Sequence, residues 1–179
     1  MTLVLNLYGG PCVGKSTLAA GVFYKMKGGG HNVELVTEVA KAYVWEDRKK
    51  VLDNQLYILT EQYHNMFRLI GQTDLIITDA PLLNCAAYFP DDYPDHVMQT
   101  VKWMHDQFTN INFMIDRGDT FVPNGRRHSL EQSKVIDDRV KKIMTNMGQK
   151  YQLVDANDAS ANRITMTIID RLEQSDMAY

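Results

Sequence analysis

Cysteine is scarce in this chain. Cys12 and Cys85 are the two it has, and with five scattered histidines they provide neither a disulfide framework nor a metal cluster. Both are expected to stay reduced. No apolar run approaches the roughly 20 residues needed to cross a bilayer, and the N-terminus lacks a basic stretch followed by a cleavable apolar segment. The expectation is a cytoplasmic location with no membrane partner. An excess of positive charge is also missing: 19 Lys and Arg stand against 22 Asp and Glu, a formal net charge of -3. That balance argues against a protein that coats nucleic acid non-specifically, because such binding rests on clustered cations that displace counterions. Local basic clusters remain at Arg117, Arg126 and Arg127 and, more loosely, at Arg48, Lys49 and Lys50. Repeats, low-complexity tracts and linkers are absent. What is there is 179 residues with a hydrophobic fraction of 45%, enough for one compact domain over residues 1–179 with a real core.

The order of apolar segments gives the fold class. Thr2 to Tyr8 is mostly Leu and Val, as suits a strand buried on both faces. A glycine loop follows, and from Lys15 to Lys27 apolar residues recur at helical spacing through Leu18, Val22 and Met26. The unit repeats as Val33 to Thr37 with a helix from Val39, and as Asp74 to Thr78 with a more irregular region after it. Two further strands are expected at Ile111 to Ile115 and Tyr151 to Val154, separated by a helix from Leu130 to Met147. Alternation of this kind implies an α/β fold in three layers, a five-stranded parallel sheet with helices on both faces. Asn54 to Ile70 reads as another helix, with Leu56, Leu59, Tyr63, Phe67 and Ile70 as its core face. Gln55, Gln62, His64 and Arg68 fall on the other side, lining a cleft or facing solvent.

The glycine loop carries the chemistry. Gly9, Gly10, Pro11, Cys12, Val13, Gly14, Lys15 and Ser16 match the phosphate-loop pattern of a glycine and a Gly-Lys-Ser group separated by four residues, and Thr17 extends it. Backbone N–H groups from Gly10 to Thr17 are expected to surround phosphate oxygens at the positive end of the following helix. Lys15 is expected to reach the β and γ phosphates of ATP, and the Ser16 hydroxyl to ligate Mg2+. No Asn-Lys-x-Asp sequence is present to read guanine. Asp79 is followed by Ala80 and Pro81, with no glutamate to activate water, which favours transfer to a bound acceptor over hydrolysis.

Small kinases neutralise charge on the transferred group with arginines on a mobile lid. The segment 117–129 suits that role. Arg117 leaves the fourth strand, Pro123, Asn124 and Gly125 make a turn, and Arg126 and Arg127 precede a helix. Arg126 is the expected catalytic arginine, with Arg117 and Arg127 on the nucleotide; a solvated basic turn is the plainer alternative. Glu38 after the second strand and Asp79 at the end of the third lie on the carboxyl edge, where open parallel sheets bind ligands. Asp79 is expected to hold magnesium and Glu38 to take the proton of an attacking hydroxyl, although the two roles are interchangeable on sequence alone.

GGPCVGKST, VTEVAKAYVWE, DLIITDAPLL and FMIDRGDTFVPNGRR together resemble small P-loop ATPase/kinase proteins common in tailed bacteriophages, over nearly the whole chain. That group is similar to nicotinamide riboside kinases and deoxynucleoside kinases, and some members are 5-hydroxymethyluracil DNA kinases. The resemblance implies a nucleoside-type acceptor, the hydroxymethyl group of that modified base in duplex DNA being the most specific one. A free nucleoside or nucleotide, or a regulatory ATPase without acceptor, are the alternatives. If the chain is viral, its location becomes the host cytoplasm. Deoxynucleoside kinases place a glutamate after the second strand with a tryptophan beyond it, as Glu38 and Trp45 stand here, and read the base with a helix glutamine, for which Gln55 and Gln62 are the candidates. They follow the acid of the third strand with Arg and Ser; Ala80 and Pro81 depart from that. From the residues themselves, Tyr43 and Trp45 are aromatic groups able to stack a base, with core packing the plainer reading; the resemblance implies that Asp155 to Asn162, after the last strand, lies where such kinases often cradle the base, a polar loop being the plainer alternative.

Overall fold

The computed structural model describes residues 2–118 and 129–176, the last two by their backbone alone. The expected lid arginines Arg126 and Arg127, with Pro123, Asn124 and Gly125, lie outside the described residues.

Five parallel strands form the sheet, in the order β2-β3-β1-β4-β5, with β1 at Leu3–Tyr8, β2 at Val33–Val36, β3 at Leu75–Thr78, β4 at Thr109–Ile115 and β5 at Gln152–Val154. The strand expected at each of the five places is present. β1 is central and all six of its residues are buried, Asn6 being the one polar side chain among them. Its register sets Leu3 beside Leu75 on β3 and beside Thr109 on β4. Leu3, Leu5 and Leu7 face one layer, where α1 (Lys15–Gly28) and α8 (Asp158–Asp176) bury Leu18, Val22, Met26, Ile164 and Ile168. Val4 and Tyr8 face the other, filled by α4 (Gln55–Phe67), α5 (Leu82–Cys85), α6 (Asp95–Asp106) and α7 (Leu130–Asn146). The short helices α2 (Val39–Trp45) and α3 (Lys49–Leu52) pack against each other and against α4. Among the described residues, no helix is long and apolar enough to cross a membrane.

Three local readings differ from the structure. The segment after β3, expected to be irregular, holds α6, whose first turn follows Pro94 with Asp95 in it and which buries Val101 and His105 one helical turn apart. Helix α8 was not anticipated; Ala161, Ile164 and Ile168 form its buried stripe, and Ala161 lies against Gly21 of α1. The core face of α4 is also rotated from the expected one. Ile58, Leu59, Gln62 and Met66 are buried, whereas Leu56, Phe67 and Ile70 are 40%, 50% and 38% exposed. The buried set includes a glutamine, so apolarity alone points to the wrong stripe.

Candidate active site

β1 ends in the loop that turns into α1. Gly14 sits at the N-cap of that helix with φ 98°, in the left-handed region where a side chain is strained, and a Cβ there would lie 2.4 Å from the Ala156 Cβ. The loop after β5 thus closes on the backbone of the phosphate loop. Cys12, with φ 60°, takes the same left-handed region without the licence of glycine. Lys15 is buried and its Nζ donates to the carbonyl oxygens of Gly9 and Gly10, at 2.7 and 2.8 Å. Val13 packs into the core, so only its backbone is offered to a ligand, and Thr17 is exposed in the first turn of α1.

Asp79 ends β3 almost fully buried. Its Oδ2 accepts the Ser16 hydroxyl at 2.5 Å, while Oδ1 is buried with no hydrogen-bond partner among the described residues. A hydroxyl and a carboxylate with an unused buried oxygen, both at the phosphate loop, are the oxygen donor set that a magnesium ion accompanying a nucleotide requires.

Glu38 is at the N-cap of α2, yet its side chain makes no cap bond. The cap comes from Gln62 on α4, whose Oε1 accepts the Val39 N–H at 3.1 Å and whose Nε2 lies 3.4 Å from the Thr78 hydroxyl. That hydroxyl also accepts the Ala80 N–H at 3.1 Å. Gln62 therefore ties the backbone beside Glu38 to the backbone on either side of Asp79. Replacing it with Leu leaves the half-buried Val39 N–H without this acceptor, and the expected loss of stability is about 1 kcal/mol by urea denaturation; an unchanged midpoint would remove this linking role.

Lys15, Glu38 and Asp79 all line one cavity of about 270 Å³, just below the usual small-molecule range of roughly 300–1,000 Å³. Its far walls are mostly apolar, formed by Val39, Val44, Leu52 and Ile58, with Gln55 among them. Gln55 donates through Nε2 to the Leu52 carbonyl at 2.5 Å, which orients its amide. Gln62 also borders the cavity, but its amide is engaged by the protein as described. Trp45 is 69% exposed at the end of α2 and is not part of the lining; Tyr43 packs between α2 and α4, its hydroxyl donating to Glu61 at 2.8 Å. Cys85 lines the cavity as a neutral thiol, its pKa pushed up to about 12 by burial and then by the charge of Glu38. A second, more open depression of about 310 Å³ lies beyond β5, between Asp116, Asp155, Asn157, Ser160 and Arg163.

Two polar residues at the loop escape a reading of the sequence. Asn84, buried in α5, accepts the Gly9 N–H through Oδ1 at 3.1 Å and borders the cavity lined by Lys15, Glu38 and Asp79. Asp137 of α7 accepts the Gly10 N–H at 2.5 Å and the Arg117 Nε–H at 2.6 Å. Neither belongs to a motif; a polar residue inside an apolar helical stripe was the available signal.

The parallel sheet in this order, the loop at the end of its central strand and the carboxylates on its carboxyl edge define a P-loop domain with a nucleoside-kinase-like fold. The chain belongs to the AAA domain family, whose model matches residues 4–162. None of the curated proteins compared matches it. Among solved structures it is similar to the deoxyadenosine kinase of M. mycoides determined with the products dCMP and a flexible dCDP, at a TM-score of 0.58 and 15% identity, covering 94% of this chain and all of that one.

Proposed function

We propose that the protein is an ATP-dependent phosphotransferase that passes the γ-phosphoryl group to a hydroxyl of a nucleoside-type acceptor held in the Glu38 cavity. The observation that carries the proposal is that one cavity is lined at the same time by Lys15 of the phosphate loop and by the carboxylates Glu38 and Asp79. The bond between the Ser16 hydroxyl and Asp79 favours Asp79 as the metal-side carboxylate, leaving Glu38 as base. The acceptor oxygen attacks the γ-phosphorus as its proton passes to Glu38. The bond from that phosphorus to the β,γ-bridging oxygen breaks, and ADP leaves. Lys15 stabilises the charge on the phosphoryl oxygens. Bound magnesium supplies further neutralisation of phosphate charge, with Ser16 and Asp79 as its protein ligands. Arg126 and Arg127 are proposed to serve the same phosphates.

The 5-hydroxymethyl group of 5-hydroxymethyluracil in phage DNA is the most specific acceptor candidate, and it rests on the sequence resemblance. The surface favours a free nucleoside instead: Arg48 lies 3.5 Å from Glu46 and Lys49 3.8 Å from Asp47, so two of the three cations in the Arg48, Lys49, Lys50 run are paired with acidic neighbours. Labelled γ-phosphate offered with magnesium to deoxynucleosides, mononucleotides, nicotinamide riboside and duplex DNA with or without the modified base separates these readings. Label on a free nucleoside is the expected result, label on the modified DNA alone establishes a DNA-base kinase, and label in inorganic phosphate alone would overturn the kinase reading in favour of a regulatory ATPase.

A further inference from the structure

Helix α7 starts at a capping box, in which Ser129 Oγ accepts the Gln132 N–H and the Gln132 side chain accepts the Ser129 N–H. Its buried stripe is Ser133, Ile136, Asp137, Val140 and Met144. A carboxylate in such a stripe is costly unless both oxygens are engaged, and at Asp137 they are. Oδ1 takes the Gly10 N–H and Oδ2 the Arg117 Nε–H, in an ion pair whose side chains are only 9% and 12% exposed for Arg117 and Asp137. Arg117 Nη2 donates to the Pro11 carbonyl at 2.8 Å. Its remaining nitrogen, Nη1, is buried with no hydrogen-bond partner among the described residues. The helix also lies directly on the loop: a Cβ at Gly10 would stand 2.5 Å from the Ser133 carbonyl oxygen.

A guanidinium has five donors, and a buried donor left without an acceptor costs free energy. Here the described residues supply acceptors to one edge of the group and none to Nη1, with the guanidinium set against the Gly10–Pro11 backbone of the phosphate loop. We propose that Asp137 is a positioning residue for nucleotide binding: it holds Arg117 across the phosphate loop so that Nη1 meets a phosphate oxygen of the bound nucleotide. The proposal rests on the reading of that loop as the ATP site. A carboxylate suits the task because it accepts from Arg117 and from the loop at once, setting the arginine and the loop in one frame and sparing the rotamer freedom a long side chain otherwise loses on binding.

The test is ATP·Mg binding by titration calorimetry for the wild type, Asp137→Asn, Arg117→Ala and the double variant, each below its unfolding temperature. In Asp137→Asn the amide oxygen still accepts the Gly10 N–H, while its NH2 opposes Arg117 Nε. Affinity is expected to fall about tenfold or more in each single variant, and the double variant to be no weaker than Arg117→Ala. If Asp137→Asn binds like the wild type, or if the two losses multiply, the positioning role is overturned; a merely structural Asp137 would weaken the Arg117→Ala background too. Should Asp137→Asn not fold, Arg117→Lys carries the test, because an ammonium has no fork to serve carboxylate and phosphate together. It is expected to match Arg117→Ala, and wild-type affinity would refute the proposal. Binding of ATP without phosphorylation of any acceptor would sink the kinase reading and leave this test standing, whereas a wild type that binds no ATP sinks both.

Discussion

Lys15→Ala is expected to lower phosphoryl transfer about 10³-fold, at the upper end of what one transition-state donor supplies. The ammonium lies at the join of the loop and the cavity, bonded to the Gly9 and Gly10 carbonyls. No other described residue bordering the cavity is a lysine or arginine. Among the described lining residues, Lys15 is the cation placed to stabilise charge developing on the transferred group. The fold is expected to persist, because the side chain's hydrogen bonds to the Gly9 and Gly10 carbonyls are worth roughly 0.5–1.5 kcal/mol each and removing it also relieves the burial of a charge. Initial rates with labelled ATP, beside a circular dichroism melt, check both halves. Unchanged turnover in a folded variant would place the reaction elsewhere.

Glu38→Gln is expected to reduce turnover by about 10²–10⁴-fold, the usual worth of a general base, with KM for ATP nearly unchanged. The amide keeps the size of the carboxylate but is a poor proton acceptor. The helix behind it is untouched, since Gln62 and not Glu38 caps α2. Asp79→Asn provides the contrast: it alters the Ser16 and magnesium side of the cavity and is expected to raise the magnesium concentration needed for half-maximal rate. If Glu38→Gln shifted the magnesium requirement and Asp79→Asn did not, the two roles would be exchanged.

These two predictions draw on different sources. Lys15 is legible from spacing, because the loop needs its glycines and lysine at set intervals along seven or eight consecutive residues, and the flanking strand and helix are local too. Glu38 and Asp79 are legible as strand-end acids only after the parallel sheet is inferred. The structure adds that they line one cavity with Lys15, which a position along the chain does not show. Gln62 and Gln55 look alike in sequence, as polar residues two turns apart on α4. The structure separates them: the Gln62 amide is spent on Val39 and Thr78, while Gln55 is anchored through one nitrogen to Leu52 within the cavity wall.

By itself the sequence determined the parallel α/β class, the phosphate loop with Lys15 and Ser16, and the acids at the strand ends, because each depends on patterns a few residues long. The tertiary structure alone decided which stripe of α4 is buried, that Asn84 holds the Gly9 N–H across 75 residues, and that Asp137 joins Gly10 to Arg117 across 127 and 20. Those contacts exist because the helices after β3 and β4 fold back over the carboxyl end of β1. A buried backbone N–H or guanidinium must find its acceptor wherever packing brings one, however distant it is along the chain.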